Sequence, residues 1–439
     1  MKVLKFGGTS VGSAQRIKNV AQLITERGKN IIVLSAMSGT TNSLVQISER
    51  LHSEDIEGAY GIIEGLKQKY VRTLEEMFET EEYLNMAKTK VQECFDFIRL
   101  HTMSNFSERY EKEILAQGEL MSTNIMNIYL LSQGVKSVLL PALDYMRIDE
   151  NAEPDYDYIK AKLQDLLKTH SDADIYITQG FICRNINGDI DNLERGGSDY
   201  SASIVGAMVD AEEVQIWTDI DGMHNNDPRF VENTSPVKEL AFEEAAELAY
   251  FGAKILHPTC VRPAQEHNIP VRLLNTMCPE AHGTVIHNST ETGKIKAVAA
   301  KDNITSIKIK SSRMLLAYGF LRKIFEIFED NKTPIDMITT SEVGVSVTID
   351  NTKNLDRIVA SLEEFGEVTV EQDMVIICVV GDLKWQNKGF EAEVLNAIKT
   401  IPVRMISYGG SNYNISVLIH KDDKIETLQL LSKHLFNKN

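Results

Sequence analysis

Short apolar runs separated by stretches of helical periodicity constrain most of this chain, from its N-terminus to about Leu274. The runs are Val3–Phe6, Asn30–Ser35, Ser137–Pro141, Ile175–Gly180, Val214–Thr218 and Pro270–Leu274. Each is continuous rather than alternating in polarity, and Gly, Pro or Ser often bounds it. That is the pattern of strands buried on both faces. Between them, Ile17, Val20, Ala21 and Ile24 take the i, i+3, i+4, i+7 spacing of a buried helical stripe. Leu44, Ile47, Ser48 and Leu51 repeat the spacing with one polar lapse. Such alternation predicts an α/β fold, a mostly parallel sheet with helices on both faces. Glu54 to Arg109 reads as a charged helical subdomain with no obvious chemistry.

The order changes at Thr305. Strand Thr305–Lys310, helix Phe320–Asn331, strands Ile335–Thr340 and Gly344–Ile349, helix Leu355–Phe365 and strand Glu367–Gln372 make a βαββαβ unit. A second copy follows: strand Val375–Gly381, helix Phe390–Lys399, strands Val403–Tyr408 and Tyr413–Ile419, helix Lys424–Phe436. Gly319-Phe320 and Gly389-Phe390 each open a helix. Asp336-Met337-Ile338-Thr339 rhymes with Arg404-Met405-Ile406-Ser407. Repetition at this spacing implies two copies of one small domain. The second copy lacks a closing strand, and the apolar run Ile295–Ala300 is expected to supply it. The expected limits are therefore 1–293 for the large domain, 305–372 for the first small domain, and 294–304 with 373–439 for the second.

At 439 residues the chain is too long for one core. A net charge of −17 disfavours a nucleic-acid partner, which needs basic surface. Cys94, Cys183, Cys260, Cys278 and Cys378 are scattered, with no C-x-x-C. They suggest a reducing, cytoplasmic setting without disulfides or structural zinc. No signal peptide and no membrane-spanning run is visible.

Several constellations can carry chemistry. Lys5-Phe6-Gly7-Gly8-Thr9-Ser10 ends the first strand, ahead of a helix starting near Ser13. Paired glycines let backbone N–H groups approach phosphate oxygens, and a helix N-terminus favours negative charge. Lys5 stands where it can reach such phosphates. Walker and G-x-G-x-x-G spacings are both absent, and a plain tight turn is the rival reading. Ser35-Ala36-Met37-Ser38-Gly39-Thr40-Thr41-Asn42 offers hydroxyls to a compact polar ligand, or caps the next helix. Glu119, after Gly118, can accept from an α-ammonium group or be a helix-surface acid. Glu194-Arg195-Gly196-Gly197-Ser198-Asp199 is the most specific piece. Arg195 can clamp a carboxylate bidentately. Asp199 can hold lysines in place or stabilise the helix dipole. Trp217-Thr218-Asp219-Ile220-Asp221-Gly222, followed by Asp227-Pro228-Arg229, runs a strand into a turn, as at nucleotide sites on parallel sheets. Its glycine is misplaced for a calcium loop. Phe251-Gly252-Ala253-Lys254 adds a lysine for a phosphate or a helix C-terminus.

Lys5-Phe6-Gly7-Gly8-Thr9-Ser10, Arg195-Gly196-Gly197-Ser198-Asp199 and Phe251-Gly252-Ala253-Lys254, in this order, resemble the aspartate kinase family of the amino acid kinase superfamily. The similarity runs the length of the chain, and the tail repeats look like ACT domains. Gly319-Phe320-Leu321 and Ile338-Thr339-Thr340-Ser341-Glu342 look most like the lysine-sensitive, single-function branch. The resemblance implies phosphoryl transfer from ATP to L-aspartate, the first step toward lysine, threonine and methionine. It implies catalytic roles for Lys5, Asp199 and Lys254. Lys5, Gly7, Gly8, Thr218, Asp219, His224, Arg229, Lys254 and Ile255 would bind ATP. His224 stands where that branch usually carries tyrosine. Ser35, Thr41, Glu119, Arg195, Gly197 and Ser198 would bind aspartate. Met314, Gly319, Phe320, Leu321, Asp336, Ser341 and Glu342 would bind an amino-acid effector, most readily lysine. Mg²⁺ would arrive with ATP, held by phosphates and water rather than by a protein metal site. A homodimer or homotetramer through the ACT domains is expected, with no membrane or nucleic-acid partner. The rival readings are a kinase of glutamate, acetylglutamate or a nucleotide, and a non-catalytic amino-acid sensor. The paired repeats and the Arg195–Asp199 motif favour aspartate over the former. Lys5, Arg195, Asp199 and Lys254 together argue against the latter.

Overall fold

The computed structural model describes residues 1–102, 106–193, 196–252, 256–288, 291–311 and 318–436. Its strands are β1 (Lys2–Phe6), β2 (Asn30–Leu34), β3 (Ser137–Leu139), β4 (Ile175–Gln179), β5 (Ile182–Arg184), β6 (Ile190–Asn192), β7 (Val214–Thr218), β8 (Glu239–Ala241), β9 (Val271–Asn275), β10 (Thr284–His287), β11 (Ile295–Lys310), β12 (Ile338–Ser341), β13 (Gly344–Ile349), β14 (Glu367–Gly381), β15 (Met405–Tyr408) and β16 (Asn414–His420). The chain divides into two compact units, Met1–Gly222 with Leu256–Asn288, and Met223–Ile255 with Ser289–Asn439.

In the first unit the strand order is β3-β4-β2-β1-β7-β9-β10. Every pairing is parallel except β9 with β10. All six apolar runs expected as strands lie in this sheet. The strand β1 is central, with Lys5 opposite Val33 on one side and Ile216 on the other. Its Val3, Leu4 and Phe6 are wholly buried, as is every residue of β2. Phe6 stacks on Trp217, ring centroids 5.7 Å apart. Burying each such side chain stabilises the sheet by roughly 1.5–3 kcal/mol. The helix Ala14–Thr25 buries Ile17, Val20, Ala21 and Ile24 as the spacing requires, and the Ser13 hydroxyl accepts the Arg16 N–H at its start. The charged stretch after Glu54 forms the long helices Ile56–Met77, Glu81–His101 and Glu108–Ser132, with Tyr70 against Phe95 between the first two. The short strands β5, β6 and β10 were not legible in the sequence. Three or four residues are too few to show a period of two.

The second unit has an antiparallel sheet of order β12-β13-β11-β14-β16-β15. Ile295–Ala300 and Thr305–Lys310, expected as two strands, run on as the single strand β11. Glu367–Gln372 and Val375–Gly381 likewise form β14. One left-handed residue interrupts each: Asn303 (φ 60°) and Asp373 (φ 60°). Ile295–Lys301 lies opposite Ile376–Gly381, and Ser306–Lys310 lies opposite Glu367–Glu371. Two cores flank this shared pair. One gathers Ile307, Ile309, Ile324, Phe328, Val345 and Ile358; the other gathers Val375, Ile377, Val394, Val417 and Leu428. The helix Phe242–Tyr250 lies against β14 and β11 within the same unit.

Leu4→Ala would leave a cavity in the central strand next to Lys5. Urea unfolding should show a loss of about 2–5 kcal/mol, as for other fully buried leucines.

Candidate active site

The parallel register of β1, β2, β4 and β7 brings the loops that follow them to one edge of the sheet. Lys5, near the end of β1, places its ammonium 2.6 Å from an Asp199 carboxylate oxygen. Asp199 stands in the first turn of the helix Gly197–Met208, which the residues after Arg195 begin. Both side chains are mostly buried, at 12% and 16% exposure. A mostly desolvated lysine needs a counter-charge, and the aspartate supplies it.

The glycine turn after β1 runs close to the loop after β2. A Cβ on Gly8 would sit 2.9 Å from the Ala36 carbonyl oxygen. The Ser38 N–H donates to the Gly8 carbonyl at 3.1 Å. The Gly7 N–H, expected to face phosphate, instead donates to the Trp217 carbonyl at 3.3 Å. The Gly8 and Thr9 amides of this turn donate to no acceptor among the described residues. Ser10 closes the turn, sharing a 2.7 Å hydrogen bond with Thr276.

Of the expected aspartate-binding residues, Ser35, Ser198 and Glu119 lie together at this edge. The Ser35 hydroxyl donates to the Ser198 hydroxyl at 2.9 Å. The Ala36 N–H donates to Glu119 at 3.1 Å. Glu119 is buried in the helix Glu108–Ser132, and its second oxygen lacks a partner. Burial pushes its carboxyl up to about 8, against the opposing pull of the Ala36 N–H. Gly196 takes a left-handed backbone (φ 68°), and a Cβ there would meet the Cys260 sulfur at 1.9 Å. Gly197 starts the helix beside Phe181. Thr41 is exposed in the first turn of the helix Thr40–His52. Arg195 lies outside the described residues.

Of the expected nucleotide residues, Thr218 ends β7, its hydroxyl 3.3 Å from the Asp219 carboxylate and accepting the Ile220 N–H. His224 and Arg229 fall in the second unit. The His224 Nδ1 lies 2.9 Å from the Thr234 hydroxyl. Arg229 is three-quarters exposed and forks onto Asp227 at 2.7–3.1 Å. That carboxylate raises its already high pKa. Lys254 and Ile255 lie outside the described residues. No three His, Cys, Asp or Glu side chains gather into a metal-binding set among those described.

Of the effector candidates, Gly319 (φ 79°) caps the helix Phe320–Asp330, with Phe320 buried and Leu321 partly exposed. Asp336 precedes β12 with its side chain only 1% exposed. Ser341 and Glu342 are exposed around the β12–β13 turn. Met314 lies outside the described residues. Sequence reasoning missed Ser122, which donates to the Ser35 carbonyl at 2.8 Å, and Thr276. A serine inside a helix and a threonine after a strand carry no motif.

A lysine on a parallel strand, an aspartate partner on a crossing helix and glycine turns between them make a phosphotransferase architecture of the amino acid kinase class. The Amino acid kinase family model matches residues 1–275, and an ACT domain model matches residues 377–435. The chain is 34% identical to chloroplast aspartokinase 1 of Arabidopsis thaliana, over 99% of this chain and 80% of that one. It is 31% identical to E. coli aspartokinase III, solved with aspartate and ADP (R-state), at a TM-score of 0.83 over 99% of this chain and 100% of that one. The structure of the same enzyme with lysine and aspartate (T-state) gives a TM-score of 0.86, with 99% of both chains covered. The chain belongs to the aspartokinase family.

Glu119 supplies a test in the folding equilibrium. Its carboxyl holds a proton in the folded protein up to about 8, but in the unfolded chain only to about 4.5. Between those values the unfolded state binds fewer protons, so stability falls as pH rises. Glu119→Gln should flatten the fall between about pH 5.5 and pH 8 in urea titrations; an unchanged slope would place its source elsewhere.

Proposed function

We propose that this chain transfers the γ-phosphoryl group of ATP to the β-carboxylate of L-aspartate, giving 4-phospho-L-aspartate and ADP. The Lys5–Asp199 pair carries the reading, set beside the Gly8 and Thr9 amides and the Ser35–Ser198–Glu119 cluster. Aspartate's β-carboxylate ionises near about 3.9, so at neutral pH it attacks without a general base. One carboxylate oxygen bonds to the γ-phosphorus as the bond to the β–γ bridging oxygen breaks, and ADP leaves with that electron pair. The protein must hold two anions in line and offset their repulsion. Lys5 does so at the phosphates, and Asp199 fixes its position. Arg195 would clamp the α-carboxylate of aspartate, Glu119 would take its α-ammonium group, and Lys254 would add a second cation. Thr218, Asp219, His224, Arg229 and Ile255 would hold the rest of the nucleotide.

Mg²⁺ would enter on the nucleotide, held by phosphate oxygens and water, as suits an ion that keeps its waters. It would neutralise phosphate charge.

The same proposal places regulation in the second unit. The strand pairing of β11 with β14 supports a first ACT domain at 305–372, inserted into a second built from 294–304 and 373–439. The aspartokinase III structure solved with lysine supports lysine as the effector; Gly319, Phe320, Leu321, Asp336, Ser341, Glu342 and Met314 would bind it. A homo-oligomer formed through these domains and a cytoplasmic setting complete the proposal.

Incubation with ATP, hydroxylamine and a panel of amino acids should trap an acyl phosphate with aspartate and not with glutamate; no product with aspartate would refute the assignment. Lys5→Ala and Arg195→Ala should each lower kcat/KM by on the order of 10²–10³, as when other charge-stabilising contacts are lost. Lys5→Ala should act mainly on kcat, and Arg195→Ala on the aspartate KM.

A further inference from the structure

The helix Ile56–Met77 belongs to the stretch in which the sequence shows no chemistry, yet it touches the substrate loop twice. The Lys69 ammonium donates to the Ser38 carbonyl. On the adjacent residue, the Tyr70 hydroxyl lies 3.0 Å from that of Thr40, both side chains buried. A Cβ on Gly39 would come within 3.7 Å of the Lys69 ammonium. Lys69 pairs with no carboxylate among the described residues, and burial lowers its pKa. A lysine committed to a backbone carbonyl at a left-handed turn fixes that turn (Gly39, φ 78°). From this turn starts the helix whose first turn carries Thr41.

We propose that Lys69 is a positioning residue for the aspartate subsite, holding the Ser38–Thr41 turn in its binding geometry. The proposal rests on the functional reading above. Lys69→Met should raise the aspartate KM about tenfold, leave the ATP KM within about twofold, and be largely rescued by Lys69→Arg. Hydrogen exchange at Ser38–Ser43 amides should quicken in Lys69→Met alone. An unchanged aspartate KM with unchanged exchange would overturn the proposal. Wild-type protein inert toward aspartate would sink the functional reading, and the exchange comparison would still decide the clamp.

A separate observation in the second unit concerns regulation. One Asp336 oxygen accepts the Lys301 ammonium at 2.6 Å and the Tyr250 hydroxyl at 2.7 Å; the other oxygen is buried without a partner. Lys301 also reaches Asp350 at 2.9 Å and lies 4.3 Å above the Tyr250 ring. Burial and the Asp336 carboxylate push the Tyr250 hydroxyl up to about 12, so it remains a donor. Two residues on, Gly252 (φ 137°) lies so near β11 that a Cβ would fall 2.3 Å from the Ala300 carbonyl oxygen. Lys254 follows two residues later.

We infer that the Tyr250–Asp336 hydrogen bond couples the effector carboxylate to the helix Phe242–Tyr250, which precedes Lys254 in the sequence. A ligand ammonium reaching the spare Asp336 oxygen must share this carboxylate with Lys301 and Tyr250. Any rearrangement there then acts on the end of the helix Phe242–Tyr250. In Tyr250→Phe, lysine should still bind within about threefold by calorimetry, while its half-inhibitory concentration rises about tenfold. Identical inhibition in Tyr250→Phe and wild type would overturn the link. If lysine neither binds nor inhibits the wild type, the effector reading fails. The link is then judged by the ATP KM, which Tyr250→Phe should shift at least about threefold with the aspartate KM unchanged; an unshifted value would overturn it.

Discussion

The ion pair between Lys5 and Asp199 is the contact on which the catalytic unit turns. Two anions that repel each other must meet within bonding distance, and cations held in fixed positions make that cheap. A lysine is a poor fixed cation by itself, because its four-carbon stem has many rotamers. Here its backbone sits in a strand hydrogen-bonded on both sides, and its ammonium is tied to a helix that crosses the same edge. Removing either partner would leave a mostly buried charge uncompensated, a far larger loss than that of an exposed pair. The pair therefore locks β1 to the helix Gly197–Met208 as well as preparing the site.

Close backbone approach does the rest of the positioning. Gly8 lets the turn after β1 touch the loop after β2, and the Gly8 carbonyl then accepts from Ser38. Gly196 likewise lets the start of the helix Gly197–Met208 come close to Cys260. The turn after β1 and the loop after β2, joined directly by a hydrogen bond, keep a common geometry. That is what an in-line transfer between two bound ligands requires. The Gly7 amide, spent on the Trp217 carbonyl, fastens this turn to β7 and leaves the anion to its neighbours.

Much of this was legible in the sequence because the informative residues are contiguous. Lys5 through Ser10 and Arg195 through Asp199 each place a charge beside paired glycines at a strand–helix junction, and parallel strands bring such junctions to one edge. Lys69 and Tyr70 were illegible for the opposite reason. On an amphipathic helix a lysine reads as solvated surface and a tyrosine as core, and nothing local reveals a loop brought to them by tertiary packing. The continuity of β11 and β14 was hidden because Asn303 and Asp373 are residue types that usually mark turns. Here each takes a single left-handed step inside a strand, which Asn and Asp tolerate better than most.

Those two left-handed residues also align the halves of the second unit. Lys301 stands two positions before Asn303, and Glu371 two positions before Asp373. Lys301 pairs with Asp336 and Glu371 with Arg404, and Asp336 and Arg404 open the matching tetrapeptides of the two repeats. The same ion pair therefore occurs twice with its charges exchanged. Backbone symmetry would offer two equivalent ligand positions, but the side chains remove the equivalence. An ammonium group meets an acceptor beside β12 and a guanidinium before β15. Coulomb repulsion at such distances, in a partly desolvated site, outweighs what a shared backbone shape can offer. Charge reversal at one pair of positions thus gives two copies of one fold different electrostatic surroundings while leaving the common sheet intact.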